Sequence, residues 1–134
     1  MVKEEECLST FDEQVAHYLQ SLSGPDFENA YHGLIELGPD GIPYLENECK
    51  TAIDTRTRTT CVRIASSTHS LRAIPLLREA LDQREAAVWK EALDGLVSLG
   101  GHRALEVMHQ VRARTESDKA QWLDEAIQQI AEKL

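Results

Sequence analysis

The chain has 134 residues, 23 Asp and Glu against 14 Lys and Arg, a formal charge of −9 and only 5% aromatic residues. This length suits one domain with a continuous core, and the acidic balance argues against nucleic acid as the main partner, because gripping a phosphate backbone needs a basic surface. The N-terminus "MVKEEECLST" is acidic where a secretory signal is basic, and no apolar run approaches the ~18 residues of a membrane span; a cytoplasmic protein without membrane contact is expected.

"STFDEQVAHYLQSL" opens on a T-x-x-E capping box, Thr10 and Glu13, and places Val15, Tyr18, Leu19 and Leu22 at helical spacing. A capping helix over residues 1–24 is predicted, stopped by Gly24 and Pro25, with Asp26 free to cap the next helix. That second helix should run from Phe27 to Leu37 and bury Ala30, Tyr31, Leu34 and Leu37. In "LGPDGIPYL", Gly38 can take the positive φ that ends a helix, Asp40 can cap a helix starting at Gly41, and Pro43 falls in its first turn, where it costs little. The third helix should bury Ile42, Leu45 and Cys49.

"TRTRTTCVRIASS" is polar and β-branched, yet Cys61, Val62, Ile64 and Ala65 fit one helical face, with Asp54 or Thr55 as cap. "LRAIPLLREALDQ" follows with Ile74, Leu77 and Leu81 on one stripe. "REAAVWKEALDGLVSLG" puts Val88, Ala92, Leu96 and Leu99 on another and ends at Gly100 and Gly101, after which "HRALEVMHQVRAR" should bury Leu105, Met108 and Val111. The last stripe, Trp122, Leu123, Ala126 and Ile130, starts from a Ser117 cap. Eight helices result, with no strand signal.

Superposing the corners exposes a repeat. Ala30, Cys61, Ala92 and Ala126 fall in register as small residues, and Leu34, Ala65, Leu96 and Ile130 follow four positions later. The second helices align as Ile42, Ile74 and Leu105, then Leu45, Leu77 and Met108. A period of 31 to 34 residues built from helix, corner and helix is the signature of an α-solenoid. The series Val88, Ala92, Leu96, Leu99, Gly100 and the second-helix stretch "AIPLLREAL" resemble HEAT repeats, particularly the short kind also found in the HEAT-like phycobilin lyase subunits. The resemblance implies an all-α, short right-handed α-solenoid of about four stacked hairpins, with repeats over 26–50, 55–83 and 85–114 and a closing helix over 117–134. One position departs: where such repeats often carry Arg after Val, the third repeat has Trp89, so the family's inner ladder of charges is expected to be incomplete. A compact bundle and a tetratricopeptide array are the competing folds, and the W-x-x-L-G-x-x-Y pattern of the latter is missing.

No motif carries chemistry. Cys7, Cys49 and Cys61 are odd in number and lack a C-x-x-C, which reads as buried thiols. The histidines His17, His32, His69, His102 and His109 form no H-E-x-x-H, and His102 and His109 are two turns apart, so no metal is expected. Ser66, Ser67 and Thr68 precede His69, but without a glycine-framed elbow the stretch reads as a polar corner with helix caps. Neither phosphate-binding glycine motif occurs, so no cofactor and no catalytic residue is assigned.

What remains is surface. Half a turn from the buried stripes of the second helices lie Asn47 and Thr51, then Glu79 and Gln83, then Gln110 and Arg114, six polar positions on the expected concave side. A second candidate patch is the group Arg56, Arg58, Arg63, Arg72, Arg78 and Arg84, some of which must pair with nearby acids. Trp89 and Trp122 are expected in the core; an exposed one would be the best hot-spot candidate. Residues 1–54 carry 2 basic against 12 acidic side chains, residues 55–114 carry 10 against 6, and residues 115–134 carry 2 against 5, a polarity that steers partners of complementary charge. The expected function is a non-enzymatic protein-binding module, an adaptor or an immunity-type inhibitor, whose concave face and acidic N-terminal end hold a partner protein, one with a basic surface included. The alternative is an accessory subunit of a chromophore lyase or another enzyme; the DNA glycosylases that share HEAT-like folds would need a basic concave groove.

Overall fold

The corners decide where the helices stop. Gly38 adopts φ +75°, a conformation that L side chains rarely take, and so ends the second helix where expected. A 3-10 turn over Gly38–Gly41 then leads into the third helix, with Pro43 in the first turn, where its missing N–H is no loss. A second 3-10 turn, Leu71–Ala73, precedes the fifth helix, which again has a proline in its first turn. The sixth and seventh helices are joined with no such turn by Gly100 and Gly101, at φ +67° and +84°.

The computed structural model describes the backbone of residues 2–134 and the side chains of residues 11–134. Its α-helices are α1 (Val2–Ser21), α2 (Phe27–Glu36), α3 (Ile42–Thr51), α4 (Thr55–Ser67), α5 (Ile74–Leu81), α6 (Ala86–Leu99), α7 (Gly101–Ala113) and α8 (Asp118–Lys133), and no strand occurs among the described residues. The protein is thus all-α. No helix among the described residues is long and apolar enough to cross a membrane.

Contacts run from α2 to α4, α4 to α6 and α6 to α8, while α5 meets α7 and each of the pairs α3–α4, α5–α6 and α7–α8 also packs together. The small residues of the repeat register are what let the helices approach. Ala30, Cys61, Ala92 and Ala126 are all buried, as are Leu34, Ala65, Leu96 and Ile130 four positions on. Each large aliphatic side chain so buried contributes ~1.5–3 kcal/mol. Gly95 makes the approach of α6 to α4 possible, since a β-carbon there would run into the Ser66 side chain and press on Leu77. Gly33 does the same for the Tyr18 ring, which lies over it from α1.

Several local expectations are corrected. The first helix is helical from Val2 onward, so Thr10 lies inside it rather than at its start, and the Thr10 and Cys7 side chains lie outside the described residues. Asp40 does not cap α3; Gly41 holds that position and the Asp40 carboxylate accepts Arg72 Nη1 at 2.9 Å instead. Asp26, Asp54 and Ser117 do stand at the N-cap positions of α2, α4 and α8; Asp26 and Ser117 make no side-chain cap bond, while hydrogen bonding to Thr57 holds the Asp54 carboxyl below its ordinary value. Leu105 is half-buried and its neighbour Ala104 is fully buried, as Ala73 is at the equivalent place, the N-cap of α5. Tyr31, Leu37, Cys49 and Leu99 are half-buried, and Trp122 is 44% exposed rather than core.

Candidate functional site

A cleft of about 500 Å³ opens between α5 and α7. Its walls are Arg78, Glu79 and Asp82 from one helix and Arg103, Glu106 and Gln110 from the other, over a floor of Ile74, Pro75 and Val107. The helix periodicity explains the division: Ile74 and Val107 belong to the buried stripes, and the charged positions flank them.

Each acid in this cleft has a partner. Asp82 takes Arg114 Nη2 through both carboxylate oxygens, at 3.0 and 2.8 Å. Glu79 stands 3.8 Å from Lys50 Nζ of α3, and Glu106 accepts Gln110 Nε2 at 3.4 Å along its own helix. Arg78 and Arg103, by contrast, make no ion pair or hydrogen bond among the described residues, although each guanidinium offers five N–H donors.

Of the six positions expected on the concave side, Glu79 and Gln110 line the cleft, and Arg114, which does not line it, pairs with Asp82, which does. Gln83 is half-buried beside the cleft, and its carbonyl accepts Lys119 Nζ at 3.3 Å. Asn47 and Thr51 are exposed on α3, outside the cleft, where the Thr51 hydroxyl donates to the Asn47 carbonyl at 3.0 Å. Arg78, Asp82, Arg103 and Glu106 were not picked out as cleft residues from the sequence. They sit beside the buried stripe rather than opposite it, so only the spacing of α5 and α7 reveals that they share an opening.

The arginine group divides. Arg58, Arg63 and Arg72 pair with Glu85, Glu91 and Asp40 at 2.8, 2.8 and 2.9 Å. Arg56 lies 5.5 Å above the Phe27 ring, and Arg78 and Arg84 make no ion pair among the described residues. Hydrogen bonding to Glu91 raises the Arg63 pKa further above its ordinary value.

A second, shallower groove of about 260 Å³ gathers Ser66, Ser67, His69, Asp94 and Ser98 along α4 and α6. The residue types would suit a nucleophile and base, but the Ser66 and Ser67 hydroxyls donate to the Val62 and Arg63 carbonyls, both at 2.9 Å. His69 sits at φ +52°; its backbone N–H donates to the Ser66 carbonyl at 3.1 Å, but its ring makes no hydrogen bond to Asp94 or to either serine hydroxyl among the described residues. Ser70, at the end of this corner, does act as a cap, accepting Arg72 N at 3.1 Å.

Elsewhere, burial pushes the Cys61 thiol up to about 12 and raises Cys49 as well, so neither is poised as a thiolate. No group of three or more His, Cys, Asp or Glu side chains among the described residues converges to hold a metal ion. Trp89 is 7% exposed and meets Trp122 edge to face at 6.0 Å, with Lys90 Nζ 4.4 Å from the Trp122 ring. Lys119, whose pKa burial lowers, donates to the Leu81 carbonyl at 2.7 Å and so satisfies the C-terminal end of α5. No family model matches the chain, and no curated protein matches it.

Proposed function

We propose that this chain is a short HEAT-like α-solenoid acting as a non-enzymatic protein-binding module, whose second helices, α3, α5 and α7, present the face that holds a partner. The observation that carries this reading is the α5–α7 cleft, an open, charged furrow with an apolar floor on that helix row. The repeat part of the reading is supported by cross-links of constant span. Tyr44 with Asp12, Arg72 with Asp40, and Arg114 with Asp82 each join residues 32 apart in sequence, one repeat length. Stacking of like helices from successive hairpins, α2 to α4 to α6 to α8, is the contact pattern that such a repeat produces. An adaptor and an immunity-type inhibitor use such a face in the same way, and the partner tells them apart.

The test is affinity capture from the native lysate with three baits: the unaltered chain, a cleft variant (Glu79→Lys with Gln110→Glu) and a variant of the opposite row (Asp94→Lys). The expected result is one stoichiometric protein held by the first and third baits and lost from the second. Retention of that protein by the cleft variant would place binding elsewhere and defeat the reading.

A further inference from the structure

Five of the nine arginines are matched to a carboxylate: Arg58, Arg63, Arg72, Arg112 and Arg114, all at 2.8 to 2.9 Å. Arg56 is placed over an aromatic ring. Among the described residues that leaves three guanidinium groups with no acceptor, Arg78, Arg84 and Arg103, and two of the three line the same cleft. The acids of that cleft are each approached by another side chain, Asp82 by Arg114, Glu106 by Gln110 at 3.4 Å and Glu79 by Lys50 at 3.8 Å, and keep part of their acceptor capacity, whereas the donors of Arg78 and Arg103 are wholly unfilled among the described residues.

We infer that the α5–α7 cleft receives an acidic segment of the partner protein, two carboxylates on Arg78 and Arg103 with an apolar side chain between them on Ile74, Pro75 and Val107. This deepens the proposed function and rests on its assignment of the second-helix row as the binding face. Guanidinium matches carboxylate geometry through paired N–H groups. The floor supplies the apolar contact, since Pro75 is exposed and Ile74 and Val107 reach the surface at 5% and 8%. The eight residues of α5 span ~12 Å, room for about four residues of an extended peptide. Glu79 and Glu106 stand among the arginines and repel a uniform polyanion, which favours a protein segment over a nucleic acid backbone.

The direct test is fluorescence anisotropy with the labelled peptide Gly-Glu-Leu-Glu-Gly, against Gly-Lys-Leu-Lys-Gly and a single-stranded oligonucleotide. The expected result is saturable, salt-sensitive binding of the Glu peptide alone, weakened about tenfold or more by either Arg78→Ala or Arg103→Ala. Arg84→Ala, which removes an equally unpartnered guanidinium outside the cleft, should leave binding unchanged. Double reversal, Arg78→Glu with Arg103→Glu, should transfer binding to the Lys peptide; these exposed positions lie outside the core, and circular dichroism checks the fold. No binding of the Glu peptide, or equal binding by the Arg78 and Arg103 variants, would overturn the inference. So would tighter binding of the oligonucleotide, or concentration-dependent self-association abolished by the double reversal, which would make a second copy the occupant. If lysate capture still depended on Glu79 and Gln110 while the Glu peptide failed, only the acidic-segment inference would fall.

Discussion

Arg58 in α4 and Trp89 in α6 stand 31 residues apart, three positions before Cys61 and Ala92, and so occupy one register position of successive repeats. Arg58 reaches along the helix ends: Nη1 donates to the Ala52 carbonyl at 2.8 Å, beyond the end of α3, and Nη2 to Glu85 at 2.8 Å, at the N-cap of α6. Its Nε is buried without a partner. Trp89 does the corresponding job with surface instead of charge, packing edge to face on Trp122 of α8, with Lys119 Nζ 5.5 Å above its ring. The same register position therefore joins neighbouring helices by a polar clamp in α4 and by an aromatic pair in α6. The two devices differ in energy, in salt response and in what they leave exposed.

The aromatic device should be the more costly to remove. Trp89→Ala opens a cavity and uncovers the α6–α8 contact, and a loss of ~3–5 kcal/mol is expected, read from the urea midpoint. A loss below ~1 kcal/mol would mean that α8 docks without Trp89. Arg58→Ala should cost less, ~1–3 kcal/mol, because Glu85 and the Ala52 carbonyl lose a donor but can turn to water. Replacing the clamp by Arg58→Met with Glu85→Gln should recover much of that loss, since a partly buried ion pair is held against a desolvation cost and here also leaves Nε unmatched. A double variant as unstable as Arg58→Ala would show that the clamp is a net contributor.

Between these slots, Gly95→Ala pushes a methyl against Ser66 and Leu77, and a loss of ~1–3 kcal/mol is expected from overpacking, relieved in part when Ser66 is also made Ala, since its β-carbon stays 2.9 Å from the added methyl. The exposed ion pairs sharpen the contrast from below. Arg63→Ala, which breaks the Glu91 contact, should cost only ~0.2–1 kcal/mol and lose that effect in high salt.

Titration separates the layers once more. Cys61, with its thiol pushed up to about 12, should resist iodoacetamide in the folded protein at pH 8 and react on unfolding, as read by mass spectrometry. On half-buried Tyr44, the hydrogen bond from its hydroxyl to Asp12 raises the phenol above its ordinary value. A raised value means that the folded state holds the proton longer than the unfolded state. Its contribution is therefore complete below about pH 10 and is lost as the pH rises through the folded value. Phenolate absorbance should show one late-titrating tyrosine, which reverts to ordinary behaviour in Asp12→Asn.

Trp122 illustrates why the sequence was only partly legible. Its spacing with Leu123, Ala126 and Ile130 fits a helix, which forms, but a position at the margin of a buried stripe can face either way. Asp40 shows the same limit at a corner: its type and place suit a cap, yet an arginine one repeat away supplies a stronger partner. The cleft was partly visible, through Glu79, Gln110 and, in the separate arginine group, Arg78; Arg103 and the joining of the two arginines were not.

The local order of the chain determined which segments are helical, where glycine and proline end them, and which small residues recur every 31 to 34 positions, because those properties depend on neighbours within one or two turns. The partner chosen by each charge, the incomplete burial of Leu105, and the joining of Arg78 to Arg103 across one opening were decided by tertiary packing. Flanking positions on two helices meet or miss according to the distance and angle between the axes, and the side chains buried between the helices set both.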